Sequence, residues 1–167
     1  KRILKMKRNN VTALKYLGYA YTRKKEYKEG HTYLELAYKK QPTPGLESWL
    51  LYNEAQSILA KDPDNPEGYM KLGDDDLFWK YYDDALVDFE NAQKKGADPE
   101  IVFKKMERAR TGNEAKKNYD ISSDYYNRAD YDKALEYAKT AYKLYNKIDA
   151  KEGVVWSLLR MGWCYAN

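Results

Sequence analysis

Hydrophobic and small residues recur along this chain at the three- and four-residue spacing of a helix that buries one face. In Pro66 to Pro99, Tyr69, Leu72, Gly73 and Leu77 share one face, and Tyr82, Ala85, Phe89 and Ala92 share another after a short polar break. The first pattern predicts a helix near 66–79 and the second one near 82–95. Gly73, Ala85 and Ala92 are small where two helices must approach closely, so the two form a hairpin built to stack. The same alternation returns upstream, where Leu14, Leu17, Gly18 and Tyr21 precede Tyr27, Gly30, Leu34 and Ala37. Aligning Gly18 with Gly73 superimposes both sets. Downstream, Tyr131, Ala134, Ala138 and Ala141 keep the second-helix offsets, and Ile121, Ser122 and Tyr125 stand in the first-helix places. Leu158, Met161, Gly162 and Tyr165 repeat the first-helix pattern a last time, so 153–167 reads as half a unit.

An aromatic followed three residues on by Leu-Gly, then Ala, a large apolar residue and Ala in the next helix, resembles the tetratricopeptide repeat, whose unit is about 34 residues long. Asp76 departs from it, standing where the family usually has an aromatic. The positions 18, 73, 122 and 162 are separated by more than that period, by about 21, 15 and 6 residues. Each of the first two excesses matches a helix and a turn, supplied by 45–61 (Leu46, Trp49, Leu50, Ala55, Ile58, Leu59) and 99–110 (Ile101, Val102, Phe103, Met106, before Thr111-Gly112). A rival parse pairs 46–61 with 66–79 as a divergent repeat. The expected fold is all-α, a single α-solenoid domain of stacked antiparallel helix hairpins over 1–167, with units 11–42, 66–99 and 115–148, a half-unit 153–167, and about nine helices. Asn9 is the expected cap of the first helix.

Composition reinforces the helical reading, with few Gly and Pro and 18 Tyr among 167 residues. Net charge is only +4, but it is unevenly spread. Basic residues dominate the opening (Lys1, Arg2, Lys5, Lys7, Arg8, Lys15, Arg23, Lys24, Lys25, Lys28), and Asp74, Asp75, Asp76, Asp83, Asp84, Asp88 and Glu90 reverse the balance in the middle. The single cysteine, Cys164, leaves no intrachain disulfide. It is expected to pack as a small apolar residue. No run approaches the ~20 apolar residues of a membrane helix, so no membrane insertion is expected; the basic opening lacks the apolar segment of a secretory signal, which says little about compartment, and localisation stays open between cytoplasm, weakly favoured, and periplasm or elsewhere.

Chemistry is thinly represented. His31 is the one histidine and has no nucleophile signature beside it. Asp74, Asp75 and Asp76 are consecutive, about 100° apart on a helix, and cannot all face one ion. No catalytic residue, metal site or cofactor is expected. The resemblance implies that first helices line a concave groove, placing Lys15, Tyr16, Tyr19, Arg23, Lys71, Asp74, Phe78, Tyr119, Tyr126, Asn127, Trp156, Arg160 and Trp163 on its wall. Exposed aromatics beside Arg and Lys suit a non-catalytic scaffold that binds a protein or peptide partner. A C-terminal carboxylate clamp is not expected, because Tyr19 follows Lys15 where that clamp uses Asn. Trp156, Leu159 and Trp163 form an apolar face that predicts self-association through open solenoid ends. Two other readings compete: a peptide-sensing regulatory module of a larger signalling or transcription protein, suggested by 147–167, and nucleic-acid binding by the basic opening, which the acidic middle opposes.

Overall fold

A computed structural model of the chain describes residues 10–166. These residues are all-α, and eight helices pack in consecutive adjacent pairs. They are α1 (Val11–Arg23), α2 (Tyr27–Lys40), α3 (Pro44–Leu59), α4 (Pro66–Trp79), α5 (Tyr82–Lys94), α6 (Pro99–Asn127), α7 (Tyr131–Lys147) and α8 (Lys151–Tyr165). Two compact units divide the chain inside α6, the first ending at Val102 and the second beginning at Phe103. The expected Asn9 cap and the basic residues Lys1, Arg2, Lys5, Lys7 and Arg8 lie outside the described residues.

Helix starts follow local chemistry. Asn10 accepts a hydrogen bond from the Ala13 amide at 3.2 Å and so caps α1. Thr43 and Asn65 cap α3 and α4, each followed by proline, whose missing N–H costs nothing at a first helical position. The expected count of nine becomes eight because 99–110 and 113–128 are one helix of 29 residues. Thr111 and Gly112 lie within it, both buried. A lone glycine costs a helix about 1 kcal/mol, and without a proline or a cap that is too little to end it.

In the first unit, α1 and α2 close on each other through Gly18. A Cβ there would fall 2.5 Å from Leu34 Cγ. Gly73 of α4 stands in the same relation to Phe89 of α5, also at 2.5 Å, and in both hairpins the large partner is sixteen residues downstream and fully buried. The third hairpin, α6 to α7, exchanges the sizes: Ser122 replaces the glycine and Ala138 replaces the large residue, both fully buried. The Ser122 hydroxyl donates to the Ala134 carbonyl at 2.6 Å. Two small residues stand here in place of a glycine and a large one, so this crossing holds less side chain, and the serine adds a hydrogen bond to the packing.

The turns repeat as closely as the crossings. Lys25, Lys80 and Ala129 each adopt left-handed backbone, with φ of 62°, 64° and 58°, seven residues beyond Gly18, Gly73 and Ser122. The amide of the next residue then closes each turn: Glu26 to Tyr21, Tyr81 to Asp76, Asp130 to Tyr125, at 2.9–3.0 Å. Helix α3 intervenes between the first two hairpins and packs on both α2 and α4. Its Leu46 joins Leu14, Leu34 and Ala37 in one core, and Leu59 fills the space above Gly68 of α4.

In the second unit, Ala115, Ala141 and Tyr145 form the core, with Tyr119, Leu144, Ile148 and Val154 around it. Helix α8 turns a different face inward from the expected one. Gly153, Ser157 and Cys164 are buried, whereas Leu158 and Tyr165 are 47% and 67% exposed. The small stripe lets α8 sit directly on the Tyr145 ring, 2.5 Å from a Cβ at Gly153. A helix covered from one side buries one stripe, and here the small residues win it. Trp156, Leu159 and Trp163 are exposed, as the sequence pattern predicts. Among the described residues no helix is long and apolar enough to cross a membrane.

Two substitutions test the hairpin geometry in opposite directions. Gly73→Ala drives a methyl into the immobile Phe89 ring and is expected to destabilise by about 1–3 kcal/mol despite the better helix propensity of alanine. Ala129→Gly relieves a left-handed alanine and is expected to stabilise by about 0.5–1 kcal/mol. Chemical denaturation of each variant reads both signs.

Candidate binding pocket

A cavity of about 650 Å³ opens in the first unit between the end of α1, the start of α2, and helices α3 and α4. Its walls are aromatic. Tyr27, Trp49, Tyr52, Trp79 and Tyr81 line it, with Trp49 and Tyr52 edge to face at 6.1 Å and Tyr27 and Tyr52 likewise at 6.3 Å. Polar groups share the lining: Thr22, Ser48, Asp75 and Asp76, with Arg23 and Lys25 beside them. That mixture suits a site that binds by area and orients by a few charges.

The elements hold these groups firmly. Thr22 donates to Asn53 Oδ1 at 2.8 Å, and the Asn53 amide donates to the Trp49 carbonyl at 2.8 Å, tying α1 to α3 across a fully buried asparagine. Tyr19 backs the Trp49 wall, its ring 4.8 Å away. From α4, the Trp79 indole donates to Ser48 Oγ at 2.7 Å, and the Ser48 hydroxyl donates in turn to Asp75 Oδ1. A wall residue and an acid are therefore fixed by one serine. Asp75 is 8% exposed, and burial raises its pKa against the opposing pull of the Ser48 and Trp79 hydrogen bonds.

Behind Asp75, three more carboxylates, Asp76, Asp84 and Asp88, accumulate where α4 meets α5. Burial, with the neighbouring charge of Asp84, pushes Asp76 up to about 6. Burial, with the charge of Asp76, pushes Asp88 up to about 7. The two carboxyls hydrogen-bond to each other, which requires a proton between them and so favours the protonated pair.

The expected groove residues fall into separate groups. In the first unit only Arg23 lines the cavity. Tyr19 supports it from behind, Tyr16 is 69% exposed, and Phe78 is 41% exposed with its ring edge-on to Trp79. Lys71 pairs with Glu54 of α3 at 3.2 Å and with Glu67 at 3.6 Å, while Lys15 and Asp74 are half-buried. In the second unit, Tyr119, Tyr126, Arg160 and Trp163 come together. The Arg160 guanidinium lies 4.7 Å from the Tyr126 ring, 5.3 Å from Trp163 and 5.6 Å from Tyr119, and donates to Ser123 Oγ at 3.0 Å. Asn127 and Trp156 are exposed beside no such cluster.

Sequence reasoning passed over Trp49, Tyr52, Ser48, Asp75 and Trp79. One signal was present: a serine at position 48 inside the apolar run from Leu46 to Leu51, which predicts a buried hydroxyl in need of a partner. Among the described residues no group of three His, Cys, Asp or Glu side chains is placed to hold a metal ion. No family model matches the chain, and no curated protein matches it.

The carboxyl pair has a pH signature. With pKa values raised to about 6 and about 7 from an unfolded value near 4, the folded chain holds protons that the unfolded chain has released between about pH 4 and 7. Stability then falls as pH rises through that window. The loss is on the order of 1 kcal/mol, allowing for partial exposure. Glu35 and Asp130, whose pKa values are lowered by Lys39 and Lys133, act in the opposite sense only below about pH 4. Melting followed at pH 5 and pH 8 is expected to show the higher midpoint at pH 5, and Asp88→Asn is expected to flatten the difference.

Proposed function

We propose that the chain is a non-catalytic recognition module of the tetratricopeptide-repeat type that binds a partner protein or peptide, and that the cavity of its first unit is where the partner docks. The observation that supports this reading is the aromatic wall. Five rings converge on one cavity, and two of them, Trp79 and Tyr81, are 45% and 58% exposed. Tyrosine and tryptophan offer large contact area with few rotatable bonds, so ordering them on binding costs little. A volume of about 650 Å³ lies in the range of sites that enclose a side chain or two.

The reading does not need a continuous groove on the first helices. It needs α3, which carries two of the five rings and the serine that fixes a third. In this proposal the intervening helix converts a wall expected to be open into a pocket with a floor.

Panning a random peptide library against the intact chain is expected to recover binders. Trp79→Ala should weaken them about tenfold or more with an unchanged helical circular-dichroism spectrum, and Trp156→Ala, in the second unit, should leave them unaffected. Recovery of no peptide, with retention of single-stranded DNA that falls steeply as salt rises, would overturn the proposal in favour of nucleic-acid binding.

A further inference from the structure

The cavity combines two features that select the same chemistry. Its aromatic faces carry the negative side of the ring quadrupole, which attracts cations and repels anions. Among the described residues its buried acid is served by neutral donors: Asp75 accepts from the Ser48 hydroxyl, which is itself held by the Trp79 indole. Dipoles orient a carboxylate but leave its charge uncompensated. Asp76 adds a second acid at the same wall.

The cavity's own cations do not supply the missing charge. Arg23 and Lys25 are exposed, and among the described residues neither forms an ion pair with Asp75 or Asp76. At the water's edge their influence is screened by salt, while the field of a buried carboxylate is screened much less. An anionic ligand would meet Arg23 and Lys25 in high dielectric, and then ring faces and Asp75 inside. A cationic ligand would meet the carboxyls of Asp75 and Asp76 at the same wall.

We propose that the cavity takes a basic side chain of the bound peptide, lysine or arginine, with its aliphatic stem between Tyr27, Trp49, Tyr52 and Trp79 and its charge against Asp75 and Asp76. The inference rests on the peptide-binding reading and sharpens it. Long basic side chains suit the site because their methylene stems cover apolar surface while their heads stay charged. The aromatic walls hold the stem, and the acids read the head.

The test uses the peptides recovered from the library. Their sequences are expected to be enriched in lysine or arginine at one position. Exchanging that residue for its neutral counterpart, citrulline for arginine or norleucine for lysine, should weaken binding at least tenfold by calorimetry. Asp75→Asn should produce a comparable loss with the melting curve preserved. Should Asp75→Asn fail to fold, the exchange in the ligand still decides the matter on the native protein. Peptides that bind and are lost with Trp79→Ala, yet show no basic enrichment or tolerate the neutral exchange, would overturn this inference and leave peptide recognition standing. Recovery of no peptide at all would overturn both.

Discussion

The close approach of paired helices at Gly18 and Gly73 is the constraint from which the first unit is built. With 2.5 Å between a notional Cβ and the facing Leu34 or Phe89, the backbone of one helix lies directly under a large, fully buried side chain of the other. Interiors are packed too tightly to absorb an added methyl there. The same closeness fixes the turn, because helices so near leave room for only a short link. At Lys25 and Lys80 that link passes through left-handed backbone, a conformation costing an L-residue roughly 1–2 kcal/mol. Crossing and turn are therefore one device: packing at the glycine sustains a turn that local preference alone would not adopt. The second unit repeats the turn at left-handed Ala129 with Ser122 and Ala138 at the corresponding positions, so a small residue other than glycine serves where the facing side chain is also small.

What lies between the hairpins of the first unit decides what the unit can do. Helix α3 enters with polar residues inside it: Asn53 and Ser48 are both buried. Each could have been an aliphatic residue without harm to the helix. Asn53 joins α1 to α3, and Ser48 joins α3 to α4, so the relative register of three helices depends on directional bonds where apolar packing would be indifferent to small slips. Buried polar links of this kind contribute little net free energy but penalise alternatives heavily when broken. The cavity walls inherit that definition.

How far the sequence disclosed this depends on which interactions are local in the pattern. The hairpins were legible because each pairs a small residue with a large or compensating one at fixed separation, and because Leu14, Leu34, Phe89, Ala92 and Ala141 repeat at helical spacing. Three features were not. The break expected at Thr111-Gly112 rested on repeat spacing, whose excess was read as a helix and a turn, and it gives way to the continuous burial of Ala109, Thr111, Gly112 and Ala115 along α6. The inward face of α8 was taken from repeat position, while the actual choice was made by how closely Gly153 and Ser157 allow the backbone to reach Tyr145. The cavity was hidden because its walls are set by contacts between helices that helical spacing does not encode: Trp49 reads as core and Asp75 as one of three consecutive acids until α3 packs on α4 with the Ser48 hydroxyl on Asp75.

The acids at the α4–α5 contact show why that hiding is physical rather than accidental. A carboxylate set into an apolar wall makes sense for stability only if a cation accompanies it, and although Lys71 stands four residues before Asp75, it pairs with Glu54 and Glu67. Instead Asp76 and Asp88 satisfy each other by holding a proton, with pKa values near 6 and 7, and Asp75 is left to a serine and an indole. The two solutions differ in what a bound cation would do. Charge near the pair would favour release of its proton, so docking and the ionisation of Asp76 are linked in sign: a positive ligand stabilises the ionised state that burial alone resists. Burial of these acids thus carries a desolvation cost, visible in their raised pKa values, that a charge of opposite sign nearby would reduce.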